Sequence, residues 1–267
     1  MTIECGPALP LAGRGIVVTR PARQAEALAA RIREQGGHAI PFPVIDIRDV
    51  DDPAPLNAVI DRLETFDLAI FISPNAVDKG VEAILARRSL PPGLRLATIG
   101  RGSARELARL GFGEVIAPRA GADSESLLEL PELRDIAEKR IVVFRGAGGR
   151  ELLRDTLVAR GASVEYAECY RRVKPDPDVS VLSAGWERAE IDAFVVTSSE
   201  GLRNLHGVLD AAGRQRLTLT PIFVPHPRIA ATAREIGLDK TVVTDTGDEG
   251  IVAGLVKHFA GTGKGTG

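Results

Sequence analysis

The sequence predicts an α/β protein made of two similar domains, each built on a parallel β-sheet. Three observations support this prediction: a recurring strand–turn–helix unit, a repeat of that unit at long range, and a composition typical of a globular chain. The chain has 267 residues, of which 44% are hydrophobic and 26% are charged. That length suits two small domains better than one open sheet.

The recurring unit is a short apolar run, a small or polar turn and an amphipathic helix. Strands rich in β-branched residues that alternate with helices are typical of parallel sheets with right-handed crossovers. Glycine ends four of the predicted helices, where it can cap the last turn. The six apolar runs begin at Ile16, Leu68, Leu94, Ile141, Ala193 and Ile222, and the four glycines are Gly36, Gly111, Gly161 and Gly237.

The first half of the chain resembles the second half at one fixed offset. Arg20 and Arg145 are 125 positions apart (145 − 20 = 125), and other pairs share this separation. The further pairs are Gly36 with Gly161, Asp67 with Asp192, and Ser73 with Ser198. Internal repetition of this kind indicates two domains of the same fold.

Two connectors, at about residues 40–50 and 164–174, lie at equivalent places in the repeat, and each runs into an acidic, proline-containing segment. If both carry the chain between domains, residues 50–168 form an inserted domain, and residues 1–46 with 174–267 form the other. A single cut near Arg140 is the simpler alternative. We favour the double crossing because two antiparallel strands side by side make a defined hinge.

Charge and composition exclude several classes of function. The formal net charge is −2, so no global field attracts nucleic acid or an anionic membrane, and an acidic ligand must be held by local features. No apolar run approaches the ~20 residues of a membrane span, and residues 1–14 lack the basic start of a signal peptide. Cys5 and Cys169 are expected to be free thiols in a reducing compartment. We therefore expect a cytoplasmic protein without membrane or nucleic-acid partners.

Candidate binding groups follow the predicted strands, where parallel α/β sheets bind their ligands. Helix N-termini there offer unpaired N–H groups that suit carboxylates or phosphates. If the domains face each other, these turns converge on one cleft that suits a large ligand with several carboxylates. The hydroxyl groups are Ser73, Ser103, Thr197 and Ser198, the cations are Arg20, Arg145, Arg150 and Arg228, and His226 lies in the last such turn.

Each of these candidates also has a structural interpretation. A Ser or Thr before a helix is more often a simple N-cap than a ligand contact, and an arginine in a turn can be a surface residue with a packed stem. The glycine-rich run at 145–150, which includes Gly146, lacks the lysine of a phosphate-binding P-loop, so it favours an anion over a nucleotide. The four histidines have no metal-ligand spacing.

Tyr170 is the candidate proton donor. The chain has only two tyrosines, Tyr166 and Tyr170, and both lie in the second connector. Their separation of four residues predicts that they share one face of a strand. A phenol can donate a proton to a leaving group while it stays neutral itself.

Seven motifs, taken in order and spacing, resemble the uroporphyrinogen-III synthase family over about residues 14–259. They are VTRP at 18–21, FISPNAV at 71–77, ATIG at 97–100, RGAGGRELL at 145–153, YRR at 170–172, TSSEGL at 197–202 and VPHPRI at 224–229. The resemblance implies two flavodoxin-like, doubly wound parallel-sheet domains joined by a two-strand β ladder. It also implies a monomer that needs no metal or organic cofactor.

The reaction implied by the resemblance is the dehydrative cyclisation of hydroxymethylbilane, a linear tetrapyrrole with eight carboxylates, with inversion of its D ring. Tyr170 matches the tyrosine that assists departure of the hydroxyl. Ser73, Ser103, Thr197 and Ser198 match hydroxyl positions that line the cleft, although the family usually has threonine at position 103. The family's fourth turn often carries a hydroxyl, where this chain has His226 and Arg228.

Two other functions remain open from the sequence. A non-catalytic two-domain protein that clamps a small anion would share the same architecture, and it would retain its ligand without turning it over. A flavin-binding redox protein follows from the predicted fold alone, but the chain has few aromatic residues with which to hold an isoalloxazine ring.

Overall fold

The structure of the chain is a computed structural model that describes residues 9–119, 121, 123–148 and 151–260. The chain divides into two compact units, one of Met1–Asp46 with Val173–Gly267 and one of Ile47–Arg172. The strands are β1 (Gly15–Val18), β2 (His38–Pro41), β3 (Asp46–Arg48), β4 (Leu68–Phe71), β5 (Arg95–Thr98), β6 (Val115–Ile116), β7 (Arg140–Gly146), β8 (Ser163–Val173), β9 (Ala193–Val195), β10 (Ile222–Val224) and β11 (Thr241–Val243).

The helices alternate with these strands. They are α1 (Ala22–Glu34), α2 (Ala54–Ile60), α3 (Pro74–Leu85), α4 (Arg101–Arg109), α5 (Ser124–Leu128), α6 (Leu152–Ala159), α7 (Ser180–Glu187), α8 (Ser199–Val208), α9 (Ala211–Leu219), α10 (Pro227–Glu235) and α11 (Gly247–Phe259). Two short 3-10 helices span Leu63–Thr65 and Pro131–Leu133. Within the described residues, no helix combines the length and the apolar character that crossing a bilayer requires.

The first unit has a five-stranded parallel sheet in the order β2–β1–β9–β10–β11. Numbered within the unit, this is the 2-1-3-4-5 order of flavodoxin-like sheets. The central strands β1, β9 and β10 are buried along their whole length, because helices cover both faces of a doubly wound sheet. On one face Ile16, Val195 and Phe223 pack with apolar side chains of α1 and α11.

The second unit has a six-stranded sheet in the order β3–β8–β7–β4–β5–β6. Strands β4 to β8 pair in parallel. Helices α2, α3 and α4 cover one face around Phe71 and Phe144, whose rings stack with centroids 4.7 Å apart. Helices α5 and α6 cover the other face. The predicted fold class, α/β with two doubly wound parallel sheets, is therefore confirmed.

The sequence repeat has a structural counterpart in two aspartates. Asp192 accepts a hydrogen bond from the Gly15 backbone N–H at 2.9 Å, and Asp67 accepts one from the Arg140 backbone N–H at 2.8 Å. Asp192, just before β9, thus binds the start of β1, which is the first strand of the other repeat. In the same way Asp67, just before β4, binds the start of β7. Strand β1, which is flanked by β2, pairs with β9 of the second repeat, and β7, which is flanked by β8, pairs with β4 of the first repeat. The two repeats have exchanged their first strand–helix–strand segments.

This exchange accounts for the path of the chain. The boundary between the units falls inside β3, after Asp46, and again inside β8, after Arg172. Strands β3 and β8 are neighbours in the six-stranded sheet. Without β3, the second sheet reads as a circular permutation of the first.

Candidate functional site

The predicted site residues form two sets, one at the carboxyl edge of each sheet. In the second unit they follow β4 and β5 or lie near the ends of β7 and β8, and in the first unit they follow β1, β9 and β10. Because neighbouring parallel strands end at the same edge, each set is brought together by its own sheet. Helices α3, α4, α8 and α10 start at these edges and point their unpaired N–H groups outward.

Ser73 and Ser198 begin equivalent helices in the two units. The Ser73 Oγ accepts a hydrogen bond from the Ala76 N–H at 3.0 Å, and the Ser198 Oγ accepts one from the Gly201 N–H at 2.9 Å. Both serines have extended backbones and are the N-caps of α3 and α8. The structural interpretation left open by the sequence therefore holds for both, and each hydroxyl keeps a proton to donate.

Tyr170 is held at the carboxyl edge of the second sheet. Its side chain is 1% exposed, and its hydroxyl lies 3.0 Å from the Ser73 Oγ, where either oxygen can be the donor. The Arg172 Nη2 donates to the same phenol oxygen at 3.3 Å. Gly146 lies under the ring, so that a Cβ at position 146 would be 2.6 Å from the Tyr170 Cε2. The phenol is thus held by two hydrogen bonds, and its ring packs closely against Gly146, which has no side chain.

The predicted shared face of Tyr166 and Tyr170 is wrong. Strand β8 pairs Arg145 with Glu168 but Gly146 with Tyr170, which leaves Cys169 as an extra residue in the ladder. Such a bulge shifts the alternation of side chains by one position. Tyr170 therefore packs with the α3 side of the sheet, and Tyr166 with the α6 side.

Cys169, the bulge residue, is not a nucleophile in this structure. Its side chain is buried, and its thiol donates to the Arg145 carbonyl at 3.4 Å. Burial raises the pKa of the Cys169 thiol to about 12. The thiol is therefore protonated at neutral pH, and a thiol without its thiolate is unreactive.

Arg145 lies beneath the turn between β7 and α6. Its side chain is only 2% exposed, and its guanidinium donates to the carbonyls of Gly146 and Gly148 and to the Glu151 carboxylate. The guanidinium carbon also lies 4.2 Å from the centre of the Tyr166 ring. These contacts hold the turn in place, and a direct contact between Arg145 and a ligand stays a prediction. Arg150 lies outside the described residues.

Two titratable groups beside Arg145 have pKa values shifted from their ordinary ranges. The Tyr166 hydroxyl donates to Glu151 at 2.7 Å, and this bond, followed by the nearby Arg145, holds the pKa of Glu151 below its usual value. Burial, and then the bond to Glu151, raises the pKa of Tyr166 to about 12. At neutral pH the pair is therefore a carboxylate that accepts from a neutral phenol.

Ser103 sits in the first turn of α4, which follows β5. It is 3% exposed, and its hydroxyl has no hydrogen-bond partner among the described residues. The Thr98 hydroxyl at the end of β5 donates to the Gly100 carbonyl at 3.1 Å. Within the second unit's set, the Ser103 hydroxyl therefore keeps its donor and acceptor positions available for hydrogen bonds to a ligand.

In the first unit, Arg20 follows β1 and pairs with Asp248 at 2.5 Å, at the start of α11. Thr197 and Ser198 follow β9, the neighbouring strand, and both are half-buried. His226 caps α10, since its Nδ1 accepts from the Arg228 N–H at 3.0 Å. His226 and the Arg228 side chain are exposed. This edge thus offers hydroxyls and cations in a row.

Sequence reasoning missed Arg172 as a partner of the phenol. The available signal was its place two residues after Tyr170, which puts both side chains on one face of a strand. As for metals, the described residues include no group of three or more His, Cys, Asp or Glu side chains that could hold an ion.

The family model for uroporphyrinogen-III synthase HemD matches residues 26–252. A uroporphyrinogen-III synthase of Salmonella typhimurium is 37% identical over 239 residues, which cover 87% of this chain and 96% of the relative. The uroporphyrinogen-III synthase of Escherichia coli is 35% identical over 235 residues, with the same coverage of both chains.

Solved structures share the fold. A mutant uroporphyrinogen III synthase of Thermus thermophilus superimposes with a TM-score of 0.61 at 21% identity, over 94% of this chain and 100% of that one. The Helicobacter pylori uroporphyrinogen-III synthetase gives a TM-score of 0.55 at 15% identity, over 90% and 97% of the two chains. Because the family model spans most of the sequence and the relatives match almost from end to end, this chain belongs to the uroporphyrinogen-III synthase family.

Proposed function

We propose that this chain is a uroporphyrinogen-III synthase, a lyase that closes hydroxymethylbilane to uroporphyrinogen III with loss of water and inversion of the D ring. Membership of the family supports the reaction. The observation that carries the proposal on this chain's own residues is the fixed phenol of Tyr170, 3.0 Å from the Ser73 hydroxyl and above Gly146.

In the proposed first step, Tyr170 gives its phenolic proton to the hydroxyl of the substrate. The carbon–oxygen bond breaks, the hydroxyl leaves as water, and the pyrrole nitrogen stabilises the cation left on carbon. The new carbon–carbon bond then forms at the substituted carbon of ring D, the ring inverts through a spiro intermediate, and the macrocycle closes. The proton released from ring D at closure restores the phenol, so the reaction is balanced by one water.

The carboxylates of the substrate are the proposed ligands of the helix N-termini and turn cations. A helix N-terminus contributes about 0.3–1 kcal/mol to the binding of an anion at an exposed position, so several of them are needed for a polyanion. The groups we propose for this role are Arg20, Ser73, Ser103, Arg145, Gly146, Arg150, Thr197, Ser198, His226 and Arg228. Positioning a flexible chain before its ends react is an entropic contribution to the rate and decides the isomer.

The test is an isomer assay on the purified full chain. Hydroxymethylbilane supplied without added metal should yield mainly the type III isomer, measured by chromatography of the oxidised products. Type I product alone, as unassisted closure gives, would refute the synthase. Substrate retained without turnover would instead support the two-domain anion binder.

A second test concerns Tyr170 itself. Tyr170→Phe should lower turnover while circular dichroism shows the same fold. Tyr166→Phe is the matched control, because it removes the other phenolic hydroxyl of β8 from the opposite face of the sheet. Equal turnover of the two variants would remove Tyr170 from the mechanism.

We further propose that the enzyme acts on this small molecule as a monomer in the cytoplasm. Sedimentation equilibrium tests the first statement, since a mass well above the 28.4 kDa of one chain would contradict it. Fractionation of cells that express the chain tests the second.

A further inference from the structure

Arg172 contacts the phenol that the proposed reaction uses. It is the second residue after Tyr170 on β8, and both side chains project from the same face of the strand. Its Nη2 lies 3.3 Å from the Tyr170 hydroxyl oxygen, and its guanidinium carbon lies 5.7 Å from the centre of the ring. The resemblance to the family assigned no role to Arg172. Its contact with the Tyr170 phenol is what connects it to the proposed reaction.

The hydrogen-bond capacities of the three groups limit their roles. A guanidinium can only donate, so the phenol oxygen must accept from Arg172. The Ser73 oxygen already accepts from the Ala76 N–H, which leaves its own proton free to point at the phenol oxygen. In the arrangement in which Ser73 donates, the phenol oxygen accepts from two donors and the phenol keeps its own proton for a third group.

We propose that Arg172 is a positioning residue for Tyr170, a conclusion that rests on the proposed synthase reaction. It orients the phenol oxygen, and it faces the negative charge that develops on that oxygen as the proton passes to the departing hydroxyl. A preorganised donor aimed at developing charge lowers the barrier of the step without a new bond in the ground state. The cation thus acts on the rate of dehydration through Tyr170.

The neighbouring Arg171 provides a natural contrast. Its Nε donates to the Asp49 carbonyl at 3.2 Å, and its Nη2 pairs with the Asp51 carboxylate at 2.8 Å. It has the same charge as Arg172 and is one residue away, but it binds the segment after β3 and has no bond to the phenol. Loss of Arg171 therefore removes a charge from the same region without changing the surroundings of Tyr170.

A competing role for Arg172 is to bind a substrate carboxylate, since the substrate is a polyanion. The two roles affect different kinetic constants. A residue that only binds the substrate raises KM when it is removed and leaves kcat unchanged, whereas a group that acts in the transition state lowers kcat. Arg172 is exposed, so its replacement should leave the fold intact.

The experiment compares Arg172→Gln, Arg172→Lys and Arg171→Gln in the full chain, with hydroxymethylbilane as substrate and type III product as readout. For Arg172→Gln we expect kcat to fall roughly tenfold, less than for an enclosed donor because the bond is long and the side chain exposed. KM should change by less than about threefold. Arg172→Lys should recover most of the loss, and Arg171→Gln should stay within about twofold of the wild type.

A double-mutant cycle adds an independent readout. In a Tyr170→Phe chain the phenol oxygen is absent, so Arg172→Gln should have no further effect on kcat. Equal kcat for Arg172→Gln and Arg171→Gln, a rise in KM alone, or additive losses in the cycle would each overturn the inference. A wild-type chain that makes no type III isomer would instead overturn the proposed function.

Discussion

Gly146→Ala should displace the phenol of Tyr170 and so test the packing of the candidate site. A Cβ at position 146 would lie 2.6 Å from the Tyr170 Cε2, 2.7 Å from its Cζ and 3.1 Å from its hydroxyl oxygen. Ordinary contacts between carbon atoms are about 3.5–4.0 Å long, so the ring must move by about 1 Å. Overpacking of this kind destabilises a fold by about 1–3 kcal/mol.

The same displacement should reduce turnover, because a misplacement of about 1 Å can cost as much as ~100-fold in rate. The ring would lose its 3.0 Å bond to Ser73 as it moves. Gly113→Ala is the matched control, since a Cβ there would meet no atom within 4 Å and Gly113 has no positive φ.

Two measurements on each variant test this reasoning: urea unfolding and the rate of type III formation. Gly146→Ala should lower both the midpoint and the rate, and Gly113→Ala should lower neither. If Gly146→Ala matched the wild type in stability and rate, the close approach of Gly146 to the phenol would be refuted.

Three further predictions concern single contacts. Ser73→Ala should lose an N-cap worth about 1 kcal/mol of stability and should also lower turnover. Asp210→Ala removes the N-cap of α9, which accepts from the Gly213 N–H at 2.7 Å, and it should lose similar stability at unchanged turnover. Equal turnover of these two variants would contradict a role for Ser73 in the reaction. In a Cys5→Ser chain, Cys169 is the sole thiol, and burial raises its pKa to about 12. Cys169 should therefore react with a thiol reagent at ~pH 8 no faster than the chain unfolds. Rapid labelling of the native protein would argue against the burial of this thiol. The hydrogen bond from the Arg140 N–H, followed by the bond from Lys139, holds the pKa of Asp67 below its ordinary 3.8. The ionised Asp67 therefore stabilises the fold above pH 3.8, by under about 1 kcal/mol for a group this exposed. This stabilisation is lost as the pH falls further and the carboxylate is protonated. Asp67→Ala should therefore be less stable than the wild type at ~pH 7, and the difference should shrink as the pH falls through the lowered pKa of Asp67. A difference that persists undiminished in acid would contradict this.

Local signals in the sequence were sufficient for much of the candidate site. Gly36 and Gly161 end equivalent helices with φ of +84° and +87°, as their place after an amphipathic segment predicts. Ser73 and Ser198 cap equivalent helices for a similarly local reason, because the capped N–H lies three residues further along the chain. Such features depend on a few consecutive residues, and the sequence shows those directly.

Burial and register were not accessible in the same way. Arg145 follows a predicted strand and is therefore a candidate ligand-binding cation, but only the structure shows that its guanidinium is buried beneath the turn that it holds. Tyr166 and Tyr170 have the spacing of residues on one face, yet they point to opposite faces. In both cases the outcome depends on a neighbouring strand or turn that lies elsewhere in the sequence.

By itself, the sequence determined the alternation of strands and helices, the repeat of 125 residues and the turns that carry the polar groups, because each depends on periodicity and on short-range hydrogen bonds. Only the tertiary structure decided that the repeats exchange strands and that Cys169 bulges from β8. The bulge turns Tyr170 toward Ser73, Gly146 and Arg172. The physical reason is that strand pairing is a long-range choice: hydrogen bonds between distant segments set the register, and a shift of one residue reverses the face of every side chain beyond it.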